Sequence, residues 1–195
     1  MNRLKYLIVT LILIFLAIGA VVLIHELTIT ADNTTAVVQE MKSLNRWETA
    51  SFTIEKVIDT GTNGNVFQQF LFGNRILLVA HGEVIAGFDL SKFSKNDIAI
   101  TGSSITITLS SPVILSSSID NSKTEVYDRN QGLLVPFNNN LETEALASAQ
   151  STIKAAACQE GILNNASANA KSQLTSILSS FNFTHITINI PQGHC

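Results

Sequence analysis

The sequence predicts an α+β fold: an N-terminal transmembrane helix, then a curved, mainly antiparallel β-sheet packed on a long C-terminal helix, then a final C-terminal strand. Three observations predict it. Residues 7–24 are uncharged and almost wholly apolar. Short segments between residues 46 and 137 alternate apolar and polar residues at the period of a strand. From residue 142 to residue 181 the period switches to threes and fours, with no proline and a single glycine, Gly161. Strands that precede a helix, rather than alternating with helices, argue for the α+β class.

The first segment, LIVTLILIFLAIGAVVLI from Leu7 to Ile24, has Thr10 as its only hydroxyl. At about 1.5 Å per residue it reaches roughly 27 Å, close to the thickness of a bilayer's hydrocarbon core. In lipid the backbone must satisfy its own hydrogen bonds, so the span is expected to be helical. Arg3 and Lys5 precede it. The positive flank stays cytoplasmic, which makes residues 1–6 a cytoplasmic stub and places the C-terminal mass outside the cytoplasm. A cleaved signal peptide has an apolar region of about 7–15 residues ending in small residues. Here Gly19 and Ala20 are followed by Val21, Val22, Leu23 and Ile24, so the segment reads as an uncleaved anchor. Residues 25–45 read as a stem. Thr28–Thr35 lacks periodicity, and Ala36–Leu44 is expected to form a short helix with Val37, Met41 and Leu44 on one stripe.

Residues 46–195 are then one extracytoplasmic α+β domain. Phe52, Ile54 and Ile58 alternate with Thr53, Glu55 and Val57, a strand pattern, and Gly61–Gly64 marks a turn. Ile76–Ala80 is a run of five apolar residues, expected to be a strand covered on both faces. Gly82 and Gly87 suggest bulges or bends. Ser104–Ser110 alternates strictly. Pro112 interrupts it, Val113–Ile119 resumes, Asp120-Asn121 is a turn signal and Thr124–Tyr127 is another short extended piece. Gly132–Phe137 closes the β-rich half. In the helix, Leu146, Ala149, Ile153, Ala156, Leu163, Ala170, Leu174, Ile177 and Phe181 recur on one face. Glu142 and Glu144 suit the positive end of its dipole, and Gly161 is a point where it kinks or splits. His185–Ile190 alternates again as the last strand.

Composition excludes several functions. The chain has 195 residues, 46% hydrophobic and 14% charged, too apolar to be disordered. All 15 acidic residues but only 10 of the 12 basic ones follow Ile24, so the domain is mildly acidic. That argues against nucleic acid as a partner, since such binding relies on clustered Lys and Arg.

The two cysteines, Cys158 and Cys195, are expected to form a disulfide. An extracytoplasmic compartment permits the bond. From Cys158 to Phe181 a helix advances about 35 Å. A return strand of about eight residues covers roughly 26 Å, and the tail supplies the remainder. The loop between the cysteines would contribute about 3–4 kcal/mol by chain entropy.

Chemical motifs are sparse. The sequence contains no Gly-x-Ser-x-Gly, no phosphate-binding loop and no His-Glu-x-x-His. No cofactor or metal site is expected: His194-Cys195 offers two ligands where structural zinc wants four. Asp128–Gly132 lacks the alternating acidic ligands of a calcium loop and is expected to be a turn. The polar groups inside the most apolar region are His81, Glu83 and Asp89. They are the weak candidates for acid–base or ligand chemistry. The plain reading makes them a histidine at a strand bend and carboxylates at a turn, so no catalytic residue is assigned. Asp120, Asp128 and Arg129 read as surface charges.

The stretch Leu77–Leu90 (LLVAHGEVIAGFDL) resembles the signature of a bacterial membrane-anchored family catalogued as domain of unknown function 4230. Ser118-Ile-Asp120 leading into Glu125–Gly132, and Ala157–Leu163 in the late helix, are similar to it as well. The resemblance covers roughly residues 46–190. It implies a membrane-anchored bacterial protein and supplies neither an activity nor site residues.

The functional expectation is a single-pass membrane protein, held by residues 7–24, whose outer domain is a non-enzymatic interaction or scaffolding module of the cell envelope. Its partner is expected to be another envelope protein or a second copy. Self-association through an exposed face of the long helix is one form of this. The alternative is a small-ligand-binding or hydrolytic domain with its site near His81, Glu83 and Asp89.

Overall fold

The computed structural model describes residues 14–19, 38, 39, 41, 43, 45–61, 65, 70, 71, 73–132, 134 and 140–195. Residues 14–19 are helical and exposed. The rest of the expected span at 7–24 lies outside the described residues, as do Thr28–Thr35, Val37, Leu44 and most of 132–137. Among the described residues no helix is long and apolar enough to cross a membrane.

The fold is α+β, with two mainly antiparallel sheets where one was expected. In the first sheet β1 (Arg46–Gly61) and β2 (Asn74–Asp89) form an antiparallel ribbon. Each has 16 residues, so the ribbon is about 50 Å long. The opposite edge of β2 is shared. β5 (Val113–Ile119) pairs with its second half, and β6 (Glu125–Gln131) with its first half. The second sheet has the order β3–β4–β7, from β3 (Ile98–Thr101), β4 (Ser104–Thr108) and β7 (His185–Asn189). β7 lies parallel to β4, the one parallel pairing among the described strands. Alternation identified β1, β4, β5 and β7 but not β3, where no strand was expected, and it carries no information on partners, which is why two sheets read as one. Asp128–Gln131 is not a turn. It continues β6 opposite Asn74–Leu77.

The long helix is two. α1 (Leu141–Gln159) and α2 (Ile162–Ser180) meet at Gly161, whose φ of +81° is the left-handed conformation that glycine adopts without steric cost. Beyond the break Leu163, Ala170 and Leu174 are buried as expected, and the stripe differs in its last turn. Leu178 is buried, while Ile177 and Phe181 are 52% and 66% exposed.

Two hydrophobic clusters result. Ile54, Ile58, Ile76, Leu78, Ala80 and Val84 of the first sheet meet alanines 145, 149, 156 and 157 and Ile153 of α1, and the start of α2. The small helix residues let the helix lie close to the sheet. Phe88 and Leu90 join Phe93, Ile98, Ile105, Ile107, Leu174 and Leu178 in the second cluster, where Val38 and Met41 of the stem are also buried. Met41 therefore turns inward as expected, with Val38 beside it.

Along β2 the even-numbered residues are buried against the helices, and the odd-numbered ones lie on the opposite, outer face. Leu77 and Val79 are only half-buried, so the Ile76–Ala80 run is covered on one face by the described residues, not on both. Gly82 and Gly87 lie within the strand at close approaches. A Cβ on Gly82 would stand 2.8 Å from the Ser118 carbonyl oxygen, and one on Gly87 would stand 2.0 Å from that of Trp47. Gly87 faces the β1 bulge at Thr49. The bulge turns Thr49 inward, where its hydroxyl donates to the Ala166 carbonyl of α2 at 3.0 Å.

Cys158 and Cys195 form a disulfide, with Cα atoms 6.1 Å apart. The segment after β7 is thereby tied to the end of α1. Gly193 packs along it against Pro112 and Leu163.

Candidate functional site

The pleat of β2 sets the site. His81 and Glu83 are two residues apart, so both side chains leave the sheet on its outer face. They stand in the middle of an unbroken strand, not at a bend and a turn. The ladder places Glu55 opposite His81 and Thr53 opposite Glu83. On the other edge Ser118 faces Glu83, and Asp120 donates its backbone N–H to the His81 carbonyl at 2.8 Å. Two polar rows therefore cross the sheet: Glu55, His81 and Asp120, then Thr53, Glu83 and Ser118.

These residues are held by one another. His81 Nε2 lies 3.0 Å from Glu55 Oε2, with the imidazole 28% and the carboxylate 60% exposed. The buried Nδ1 of His81 has no partner among the described residues. Glu83 Oε1 accepts a hydrogen bond from the Ser51 hydroxyl at 2.6 Å. Asp120 accepts from the Ser122 hydroxyl and backbone and lies 3.3 Å from Lys123 Nζ. The Ser122 hydroxyl, then the Lys123 ammonium, hold its carboxyl below the usual range. His81, Glu83, Ser118, Asp120 and Lys123 line a groove of about 390 Å³ on this face.

Asp89 does not join them. It is six residues beyond Glu83 on the same strand, about 20 Å away. Its carboxylate caps the turn that follows, accepting from Ser91 N–H at 2.9 Å, and the Ser91 side chain and backbone hold its pKa down. Asp128 and Arg129 lie on β6, near the far end of the ribbon, where Arg75 pairs with Asp59. The groove residues that sequence reading missed as site members are Thr53, Ser118 and Lys123, with Glu55 beside them as the partner of His81. The strand alternation around Glu55 was visible, but its pairing with His81 follows from the β1–β2 register, which alternation does not give.

Chemically the groove is a polar recess lined by two carboxylates, one imidazole, one ammonium and two hydroxyls, with the Glu55 carboxylate paired to its imidazole. Among the described residues no cluster of histidine, cysteine and carboxylate side chains is disposed to hold a metal ion.

Comparison with known families adds one match. Residues 39–188 match the family described as protein of unknown function DUF4230. The chain belongs to this family. The DUF4230 match begins in the stem and ends in β7, so it takes in both sheets, both helices and every groove residue. No curated protein and no solved structure matches the chain.

Proposed function

We propose that this DUF4230 chain is an extracytoplasmic interaction module of the cell envelope, tethered by residues 7–24, and that it contacts its partner through the outer face of the first sheet. The groove at His81 and Glu83 carries this reading. It gathers hydrogen-bonding and charged side chains on a sheet face that no described element covers, while the opposite face packs on the helices. The Cys158–Cys195 disulfide supports the location, because such bonds persist in oxidising compartments.

The test is a photo-crosslinking amino acid at position 53 or 83 of the full-length chain in native membranes. The reading expects a discrete protein adduct that is absent from the same probe at position 152, an exposed site on α1. Equal adducts from all three positions, or none from the groove, refute it. Protease added to intact cells is expected to digest residues 46–195, and their protection refutes the topology.

A second reading, small-ligand binding or hydrolysis at the same groove, is favoured by the His81–Glu55 pair, in which a carboxylate orients an imidazole as acid–base sites require. It involves His81 and Glu83 without Asp89. A small molecule that raises the melting temperature of the wild type but not of His81→Ala supports it over the first reading.

A further inference from the structure

We propose that the groove between β5 and α1 receives an extended, acidic segment of a partner protein, which adds as a strand to the edge of β5 with a carboxylate at Lys154. This surface is separate from the outer-face groove and stands or falls independently of it.

The argument starts from the ladder. Asp120 N–H donates to the His81 carbonyl in the same register that places Ile119 opposite Gly82 and Ser117 opposite Val84. Antiparallel pairs alternate between hydrogen-bonded and non-hydrogen-bonded. Since residue 120 bonds β2, residues 118 and 116 do too, and the main-chain groups of Ser117 and Ile119 point away from β2. One contact confirms the direction: Gln150 Nε2 of α1 donates to the Ser117 carbonyl at 2.7 Å. A side chain thus holds the position that the N–H of an added strand would take. Among the described strands β5 pairs with β2 alone.

Beside this edge lies a groove of about 470 Å³. Residues 114–117 form one wall. Ala147, Gln150, Ser151 and Lys154 form the other, spaced as a single stripe of α1. An edge strand with a helix alongside is a geometry that binds extended peptides, with main-chain bonds giving affinity and flanking side chains giving selectivity. Two details fix the occupant. The Ser117 hydroxyl is buried without a partner among the described residues, so the groove has unmet hydrogen-bonding capacity. Lys154 is the groove's only cation and makes no ion pair among the described residues, so a carboxylate complements it. Gln150 and the β5 bulge at Leu115 protect the edge until it is occupied.

The test uses the purified full-length chain and a phage-displayed library of random linear peptides. Selection is expected to yield peptides with Asp or Glu at one fixed position. Lys154→Glu should weaken them at least tenfold and shift a new selection to Lys or Arg. Ser117→Pro should abolish binding, since proline is tolerated on an edge strand where its missing N–H faces outward. Should that variant fail to fold, N-methylation along the selected peptide gives the same information, with loss at alternate positions expected. No enriched peptide, or peptides indifferent to both substitutions and to N-methylation, would overturn the proposal. So would peptides displaced by Glu83→Arg alone, which would place them on the outer face.

Discussion

His81 and Glu55 face each other directly across the β1–β2 ribbon, Nε2 to Oε2 at 3.0 Å, in the middle of two 16-residue strands. The pair lies on the sheet's open face, so its contribution is to the shape and charge of the groove more than to stability. Glu55→Gln keeps a hydrogen-bond acceptor and is expected to change stability by less than about 1 kcal/mol, since exposed ion pairs contribute little. The ring resonances of His81 should shift at constant pH while those of His185 stay in place. A loss of several kcal/mol in urea denaturation would show that the pair is a structural element instead.

The disulfide gives a second expectation. Cys158→Ser should lower stability by about 2–4 kcal/mol, the usual range for closing a loop of this length. Cys195→Ser should cost the same, and the double variant no more than either single one. Thermal unfolding with and without reductant measures all three. An additive double variant would mean that the two sulfurs do not act as a pair.

Gly87→Ala tests the close approach of β1 to β2. The added methyl would meet the Trp47 carbonyl oxygen at 2.0 Å, which is main chain beside the Thr49 bulge and has no rotamer to move into. Overpacking of this kind costs about 1–3 kcal/mol or more. The prediction is a lower melting temperature together with faster amide exchange at residues 47–50. Unchanged exchange there would contradict the geometry.

Acid sensitivity follows from three aspartates. Asp59 is held below its ordinary value of 3.8 first by the Arg75 hydrogen bond, Asp89 by Ser91, and Asp120 by Ser122 and then Lys123. A depressed carboxyl binds fewer protons in the folded state than in the unfolded one. The stabilisation is therefore complete above the unfolded value and fades as pH falls through the lower folded values. Urea midpoints should be flat in this respect above about pH 4 and decline below it. Each Asp→Asn variant should make the decline shallower. All three groups are exposed, so the changes should be small, and added salt should shrink that of Asp59 most.

The sequence made several strands legible because apolar and polar residues alternate strictly in β4 and β7 and in part of β1. It made the disulfide legible through length arithmetic together with the expected compartment. Partners were hidden, because alternation at Ser104–Thr108 is the same whether the neighbour is β7 or β2. The split of the helix was visible as Gly161, but its last turn buries Leu178, four residues after Leu174, where Ile177 at three fitted the spacing equally well. For the site, His81 and Glu83 stood out as polar residues in an apolar run. Glu55 and Ser118 did not, since cross-strand register alone brings them in. Asp89 shared the same segment yet lies about 20 Å from Glu83, because a strand separates residues that a helix would gather.

One helix belongs to both hydrophobic clusters. The first turns of α2 put Ile162, Leu163 and Ala166 into one, and its later turns put Ala170, Leu174 and Leu178 into the other. A single continuous helix shared in this way couples the two halves. Heat or denaturant should melt the two sheets in a single cooperative step, and a force or binding event at one end of the ribbon should displace the other as one stiff body.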